Sequence, residues 1–328
     1  MNANEVGQTH LFDMMRRIAL EMNASTGAFD LVGPTPTVLD LCLAPGGFTR
    51  YVLDKFSSAK VDALSLPEDQ GGHKVRIPYG DQDQRVSVVF TDLTKFAEEF
   101  ECPQLFIDSK DGTDPAKVWP YTIDRYDLVI CDGQVPRQTV RYDDGEHFPP
   151  ICLTYSQLVL GLKRVKLGGT MIVLLHRSSR VSIFRLIRMF HQFSHVHIFK
   201  PTKNHTIKSS FYLVARDIQA ESASCLEAME LFRTVWERAS VKDDSVSSTV
   251  LYKELALVQS SLRPELEAFG PRYVELVRYI WRIQADALEN APFVKDVSEV
   301  TPRPICDHFF RGRCRFGYSC FKSHDAPE

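Results

Sequence analysis

Apolar residues recur at three- and four-residue spacing over 10–22, at Leu11, Met14, Met15, Ile18 and Met22, which predicts a helix near the start. The turn-forming Gly33-Pro34-Thr35-Pro36 then leads into a short apolar run, 38–43, expected to be a buried strand. Pro45-Gly46-Gly47 ends that run, and 48–56 has the spacing of a helix start. Further buried strands are predicted at 61–66, 86–90, 128–131, 171–175 and 211–215, with helical patterns at 155–165 and 183–193. Strands alternating with helices predict a doubly wound, mostly parallel sheet, an α/β class.

Beyond residue 215 the texture changes. Segments 220–239 and 251–288 carry helix formers with helical apolar spacing and no convincing strand, so they are expected to form a helical extension packed on the sheet. Pro264 and Gly270-Pro271 are expected to break it. Residues 291–304 hold three prolines and have the composition of a linker. The organisation predicted is a domain over 1–217, a helical extension over 218–290, a linker over 291–304 and a small module over 305–325.

Composition narrows the classes. With 44% hydrophobic and 25% charged residues the chain has the balance of a globular protein. A net charge of −3 means that any nucleic-acid affinity must come from local patches. Residues 1–10 are polar without an apolar h-region, and no apolar run reaches the ~18–20 residues of a membrane span. An intracellular protein with no membrane partner is expected, nucleus and cytoplasm both open. Of eight cysteines, Cys42, Cys102, Cys131, Cys152 and Cys225 are scattered, as in a reduced core.

The remaining three cluster. Cys306-x7-Cys314-x5-Cys320-x3-His324 supplies the four ligands of a tetrahedral Cys3His zinc site, and a module this short folds on the metal. Both the spacing and the intervening Phe309, Phe310, Gly312, Phe316, Gly317, Tyr318 and Ser323 resemble the CCCH zinc-finger family, over about residues 304–325. That resemblance implies single-stranded RNA as partner. Phe310, Phe316, Tyr318 and Phe321 are the candidates for base stacking, and Arg311, Arg313, Arg315 and Lys322 for phosphates. A finger whose aromatics serve only as a miniature core is the alternative.

At the other end, Val38-Leu39-Asp40-Leu41-Cys42-Leu43-Ala44-Pro45-Gly46-Gly47-Phe48-Thr49 has the pattern of a buried strand with an early acid, then a tight glycine turn opening a helix. Nucleotides bind in the crevice outside such a strand end. The loop is not the G-x-G-x-x-G pattern that cradles a pyrophosphate. An acid beside glycines suits a phosphate-free, cationic ligand such as S-adenosylmethionine, because glycine lets the backbone approach closely.

These residues resemble the first motif of the FtsJ methyltransferase family, D-x-x-A-P-G-G-[FW], with one extra residue between Asp40 and Ala44. The likeness continues through Val89-Phe90-Thr91-Asp92, Tyr126–Cys131 with Asp132-Gly133, Leu167-Gly168-Gly169-Thr170, and Lys200-Pro201 with the run from Ser209 to Ala215. It spans about residues 10–216. It implies a Rossmann-like S-adenosylmethionine-dependent methyltransferase domain acting on RNA at a ribose 2′-hydroxyl. The cofactor residues implied are Asp40, Ala44, Pro45, Gly46, Gly47, Phe48, Asp92 and Asp132, with Asp92 on the adenine amino group.

The family's Lys-Asp-Lys-Glu catalytic set carries over only at Asp132. The central lysine falls on Leu174, the glutamate on Ser210, and the first helix offers Arg16 and Arg17 but no lysine. Leucine cannot transfer a proton and arginine stays protonated. His176, two positions beyond Leu174 and so on the same strand face, and Lys208 are the candidate substitutes. The competing expectation is a catalytically silent methyltransferase fold kept as an RNA-binding or protein-binding scaffold.

Overall fold

The computed structural model describes residues 5–102, 118–135, 149–240, 262–291, 293–294, 306 and 308. It falls into two compact units, 1–284 and 285–328. In chain order the elements are α1 (Glu5–Thr26), β1 (Thr37–Asp40), α2 (Gly47–Lys55), β2 (Lys60–Ser65), β3 (Val86–Phe90), β4 (Tyr126–Cys131) and α3 (Pro149–Arg164). There follow β5 (Val165–His176), α4 (Val181–Phe193), β6 (His195–Phe199), β7 (Ser210–Arg216), α5 (Ala223–Ser240) and α6 (Leu262–Glu289).

The strands form one seven-stranded sheet in the order β3-β2-β1-β4-β5-β7-β6. β1 to β5 pair in parallel, whereas β7 runs antiparallel between β5 and β6. The order reverses at β1, between β2 and β4, and ligands of doubly wound sheets bind in the crevice at such a reversal.

Period-2 alternation divides the buried side chains between two faces. Val38, Val61, Ile172, Leu174 and Val214 pack with Met14, Ile18, Met22, Phe48 and Val52 of α1 and α2. Leu39, Val129, Met171, Val173 and Leu213 pack with Leu158, Phe190, Trp236 and Phe269 of α3, α4, α5 and α6. A one-residue slip of β5 would swap the faces of Leu174 and Val173, so the register is strongly specified.

Two expectations change. The strand His195–Phe199 was not among those read from the apolar pattern, because His195 and His197 alternate outward on a short edge strand. Gly270-Pro271 does not end the second helical segment, which continues to Glu289 with Pro271 inside it. Pro264 stands in the first turn, where its missing N–H has no intrahelical partner to lose. The loss at Pro271 is offset by burial of Phe269, Tyr273, Val277 and Ile280, four positions on one helical stripe. Glu265 adds a buried ion pair to Arg185 of α4 at 2.9 Å. Such a pair fixes which faces meet more than it stabilises.

Among the described residues no helix is long and apolar enough to cross a membrane.

Candidate active site

β1 delivers Asp40 to the carboxyl edge of the sheet, buried at 2% exposure. Its Oδ2 accepts a hydrogen bond from Thr49 Oγ1 at 2.7 Å, and its Oδ1 one from Cys42 N at 3.4 Å. Asp40 therefore ties both ends of its own loop together. Burial pushes its carboxyl up to about 6, with the Thr49 and Cys42 bonds opposing.

The two loop glycines do different work. Gly46 caps α2 with φ 99°, a left-handed conformation that a side chain would strain. A Cβ on Gly47 would lie 2.4 Å from Met15 Cβ and 2.5 Å from the Phe12 carbonyl. Gly47 is thus required by the close approach of α1. Phe48 is fully buried, its ring against Phe29 and Tyr212, and shapes the core beneath the loop.

Asp132 follows β4 directly, and its Oδ1 is a buried atom with no hydrogen-bond partner. Burial first, and the Asp40 charge second, push its carboxyl up to about 8, with a hydrogen bond from Tyr212 opposing. The residue after it is held by Gln157 of α3. The Gly133 amide donates to Gln157 Oε1 at 2.8 Å, and Gln157 Nε2 donates back to the Gly133 carbonyl at 3.3 Å. A Cβ at Gly133 would fall 2.3 Å from Cys42 Sγ, so the β1 and β4 loops touch at that point.

Asp92 follows β3 and caps a short turn, its Oδ1 accepting from Thr94 N at 3.0 Å and Thr94 Oγ1 at 2.7 Å. Burial, then the charges of Asp40, Cys131, Asp132 and Asp92, push the Cys42 thiol well above its usual range. Three carboxylates therefore converge around one thiol at the reversal of the sheet. No lysine or arginine among the described residues offsets the raised Asp40 or Asp132.

Asp132 and His176 lie two register positions apart at one end of β4, β5 and β7, and the position of His176 and Ser210 is the acceptor row. Cys131 pairs with Val173, which puts Asp132 level with Leu174; Leu174 in turn faces Tyr212 and His176 faces Ser210. The strand does continue to His176, which is exposed and shares a face with Leu174. Leu174 is buried among apolar neighbours, and Ser210 lends its carbonyl to Lys200. Arg16 pairs with Asp54 of α2 at 3.0 Å, and Arg17 is exposed.

Lys208 is exposed in the β6–β7 loop. That loop is organised by Lys200, which is 2% exposed and donates to the carbonyls of His205, Lys208 and Ser210 at 3.2, 2.6 and 2.9 Å. Burial lowers its ammonium to about 8.

Sequence reasoning gave no role to Tyr212, Thr49, Gln157 or Lys200. Their only signals are polar groups inside apolar runs: a glutamine in the apolar stretch of α3, and a lysine closing the β6 strand before Pro201.

Of the predicted zinc ligands, Cys306 is described and buried. Cys314, Cys320 and His324 lie outside the described residues, as do Phe310, Arg313, Phe316, Tyr318 and Phe321. Among the described residues no group of three or more His, Cys, Asp or Glu is placed to hold a metal.

The sheet order, with carboxylates gathered at its reversal, defines a Rossmann-like α/β domain. Residues 15–218 match the sequence profile of the FtsJ-like methyltransferases, and the chain belongs to that family. No curated protein matches it. Among solved structures, it is similar to a ribosomal RNA methyltransferase from Plasmodium falciparum at 16% identity and TM-score 0.41, over 62% of this chain and 97% of that one. Human methyltransferase-like protein 13 in complex with SAH is 15% identical with TM-score 0.36, over 76% of this chain and 99% of that one. An rRNA methylase from Streptococcus thermophilus is 12% identical with TM-score 0.34, over 67% and 99%.

Proposed function

We propose that the protein is an S-adenosylmethionine-dependent RNA methyltransferase acting on a ribose 2′-hydroxyl. The observation that carries the reading is the convergence of Asp40, Asp92 and Asp132 around the Cys42 thiol, with one buried oxygen of Asp132 left without a hydrogen-bond partner among the described residues. Such a site favours a ligand bearing positive charge and hydrogen-bond donors. S-adenosylmethionine carries an ammonium and a sulfonium, and supplies a methyl group on a good leaving group. Asp40 and the Gly46 turn would hold its amino-acid end and Asp92 its adenine.

A cation beside Asp132 favours the ionised carboxylate, which then accepts a hydrogen bond from the ribose hydroxyl and fixes its direction of attack. His176, on the face of Leu174, takes the departing proton; Lys208 is the alternative acceptor. The C-terminal segment is assigned a zinc finger with Cys306, Cys314, Cys320 and His324 as ligands, its aromatics and Arg313 tethering single-stranded RNA.

A specific observation favours a second reading, a silent scaffold. Leu174 is buried where the resemblance expects a proton-carrying lysine, and Ser210 stands where it expects a glutamate. Tritiated S-adenosylmethionine with cellular RNA fractions separates the two. Label transferred by wild type but not by Asp132→Ala, and recovered in 2′-O-methyl nucleosides, supports the enzyme. Cofactor binding by calorimetry without any transfer supports the scaffold, and no cofactor binding by well-folded protein overturns the enzyme and leaves the scaffold standing.

A further inference from the structure

The helix α6 lies outside the span that matches the family, yet its polar groups reach the two loops that flank the acceptor row. Tyr273 Oη donates to the Ser178 carbonyl and Trp281 Nε1 to Ser178 Oγ at 2.8 Å, both in the loop after β5. Tyr279 Oη donates to the Ile198 carbonyl at the end of β6, and Gln284 Nε2 to the Ile207 carbonyl at 3.3 Å in the β6–β7 loop. One helix thus braces the backbone on both sides of His176 and Ser210.

The surface so built is cationic and carries an aromatic ring. Arg177 and Arg180 are exposed in the first loop, Lys203 and Lys208 in the second. The loops meet where the Arg177 amide donates to the Ser209 carbonyl at 3.0 Å. Burial, and then the charges of Lys208, Lys200 and His176, push His205 down to about 4, which locates these groups around one point. Glu21 reaches the same loop, its Oε1 accepting from the Thr202 amide at 2.8 Å. Trp281 is held by its Nε1 while 38% of the residue remains exposed. An indole pinned by its polar edge loses little entropy when its exposed surface is covered by a flat ligand.

We propose that α6 completes a single-stranded RNA-binding surface beside the acceptor row, with Trp281 as a stacking platform for an unpaired base and Arg177, Lys203 and Lys208 as phosphate contacts. The inference rests on the RNA methyltransferase reading and adds a substrate-holding element outside the matched family domain. His176 stands two residues before Ser178, at most about 7 Å away. A base stacked on Trp281 therefore belongs to a nucleotide close to the target and not to the target itself. Cations tracking the backbone with an aromatic under the bases is the general solution for unpaired strands.

The test uses the full chain with a short oligouridylate carrying 4-thiouridine, cross-linked by light and mapped by mass spectrometry. Cross-links to the peptide containing Trp281 are expected. Trp281→Ala is expected to weaken binding of the same oligouridylate about tenfold. Trp281→Phe, which keeps a stacking ring, is expected to retain most of the affinity, and Arg177→Gln to flatten the salt dependence. S-adenosylmethionine affinity, measured in parallel, should be unaltered in all three. Should Trp281→Ala also lose the cofactor, the exposed Arg177→Gln decides. Wild type that binds cofactor and RNA while neither substitution changes RNA affinity, or cross-links confined to residues after 304, overturns the surface alone. Wild type that binds neither ligand overturns the surface together with the reading beneath it.

Discussion

Leu174 of β5 stands directly opposite Tyr212 of β7, whose hydroxyl is turned to the Asp132 carboxylate. Where the family likeness expects a lysine, an apolar side chain fills the position and a phenol on the next strand takes up the acid. A hydroxyl donates a hydrogen bond but brings no charge, so Asp132 stays high at about 8. Tyr212→Phe removes the one opposing influence and is expected to raise it further. Carboxyl carbon NMR titration of wild type and variant checks this. An unchanged titration would sever the link between Tyr212 and Asp132.

The raised carboxyls also set the sign of the stability profile. An acid whose folded pKa exceeds the ordinary carboxylate value binds more protons folded than unfolded across that interval. The contribution of Asp40 and Asp132 is complete below about pH 4 and lost as pH rises through about 6 and then about 8. Without cofactor, the urea midpoint is expected to fall between pH 5 and 8 more steeply in wild type than in Asp132→Asn. Saturating S-adenosylmethionine should release protons at pH 7, seen as a buffer-dependent calorimetric heat. Identical heats in buffers of different ionisation enthalpy would contradict a cation bound beside these acids.

The adjacent glycines separate fold from ligand. Gly47→Ala places a Cβ against Met15 and the Phe12 carbonyl, and overpacking of that kind costs about 1–3 kcal/mol. Gly46→Ala meets Ile77 only at 3.3 Å but strains the left-handed backbone. Chemical denaturation should show the larger loss for Gly47→Ala, and calorimetry the larger loss of cofactor affinity per unit of stability for Gly46→Ala. The reverse pattern would remove Gly46 from the binding loop.

With His176 as the base, His176→Ala is expected to cost about 10²–10⁴ in turnover with cofactor affinity intact. Unaltered turnover removes His176 and leaves Lys208 as the acceptor to test. Leu174→Lys, placed level with Asp132, should harm an enzyme built on His176 and give a trace of activity to a silent scaffold.

For the C-terminal segment, metal analysis of protein purified without chelators is expected to give one zinc per chain. Cys314→Ser should abolish that zinc and leave the main melting transition nearly where it was. Zinc-free wild type would end the finger assignment.

The strands were legible as contiguous apolar runs; the predicted 86–90 coincides with Val86–Phe90, although this edge strand is fully buried only at Val86. The strand, turn and helix start around Asp40 and Gly46 were legible because they are contiguous in sequence. β6 was not, since an edge strand with outward histidines lacks a continuous apolar run. The passage of α6 through Pro271 was hidden because propensity says nothing of the neighbour that buries Phe269 and Tyr273. The pairing of Tyr212 with Asp132, 80 residues apart and on different strands, depends on sheet register that no local pattern encodes.

The crowding of acids around Cys42 also has a bearing on survival in the presence of an alkylating reagent. A thiolate is a strong nucleophile and a thiol a weak one. Burial and the neighbouring carboxylates keep the Cys42 sulfur protonated. A cofactor held there as proposed, with its electrophilic methyl group beside that sulfur, would therefore not be lost to methylation of the protein's own thiol.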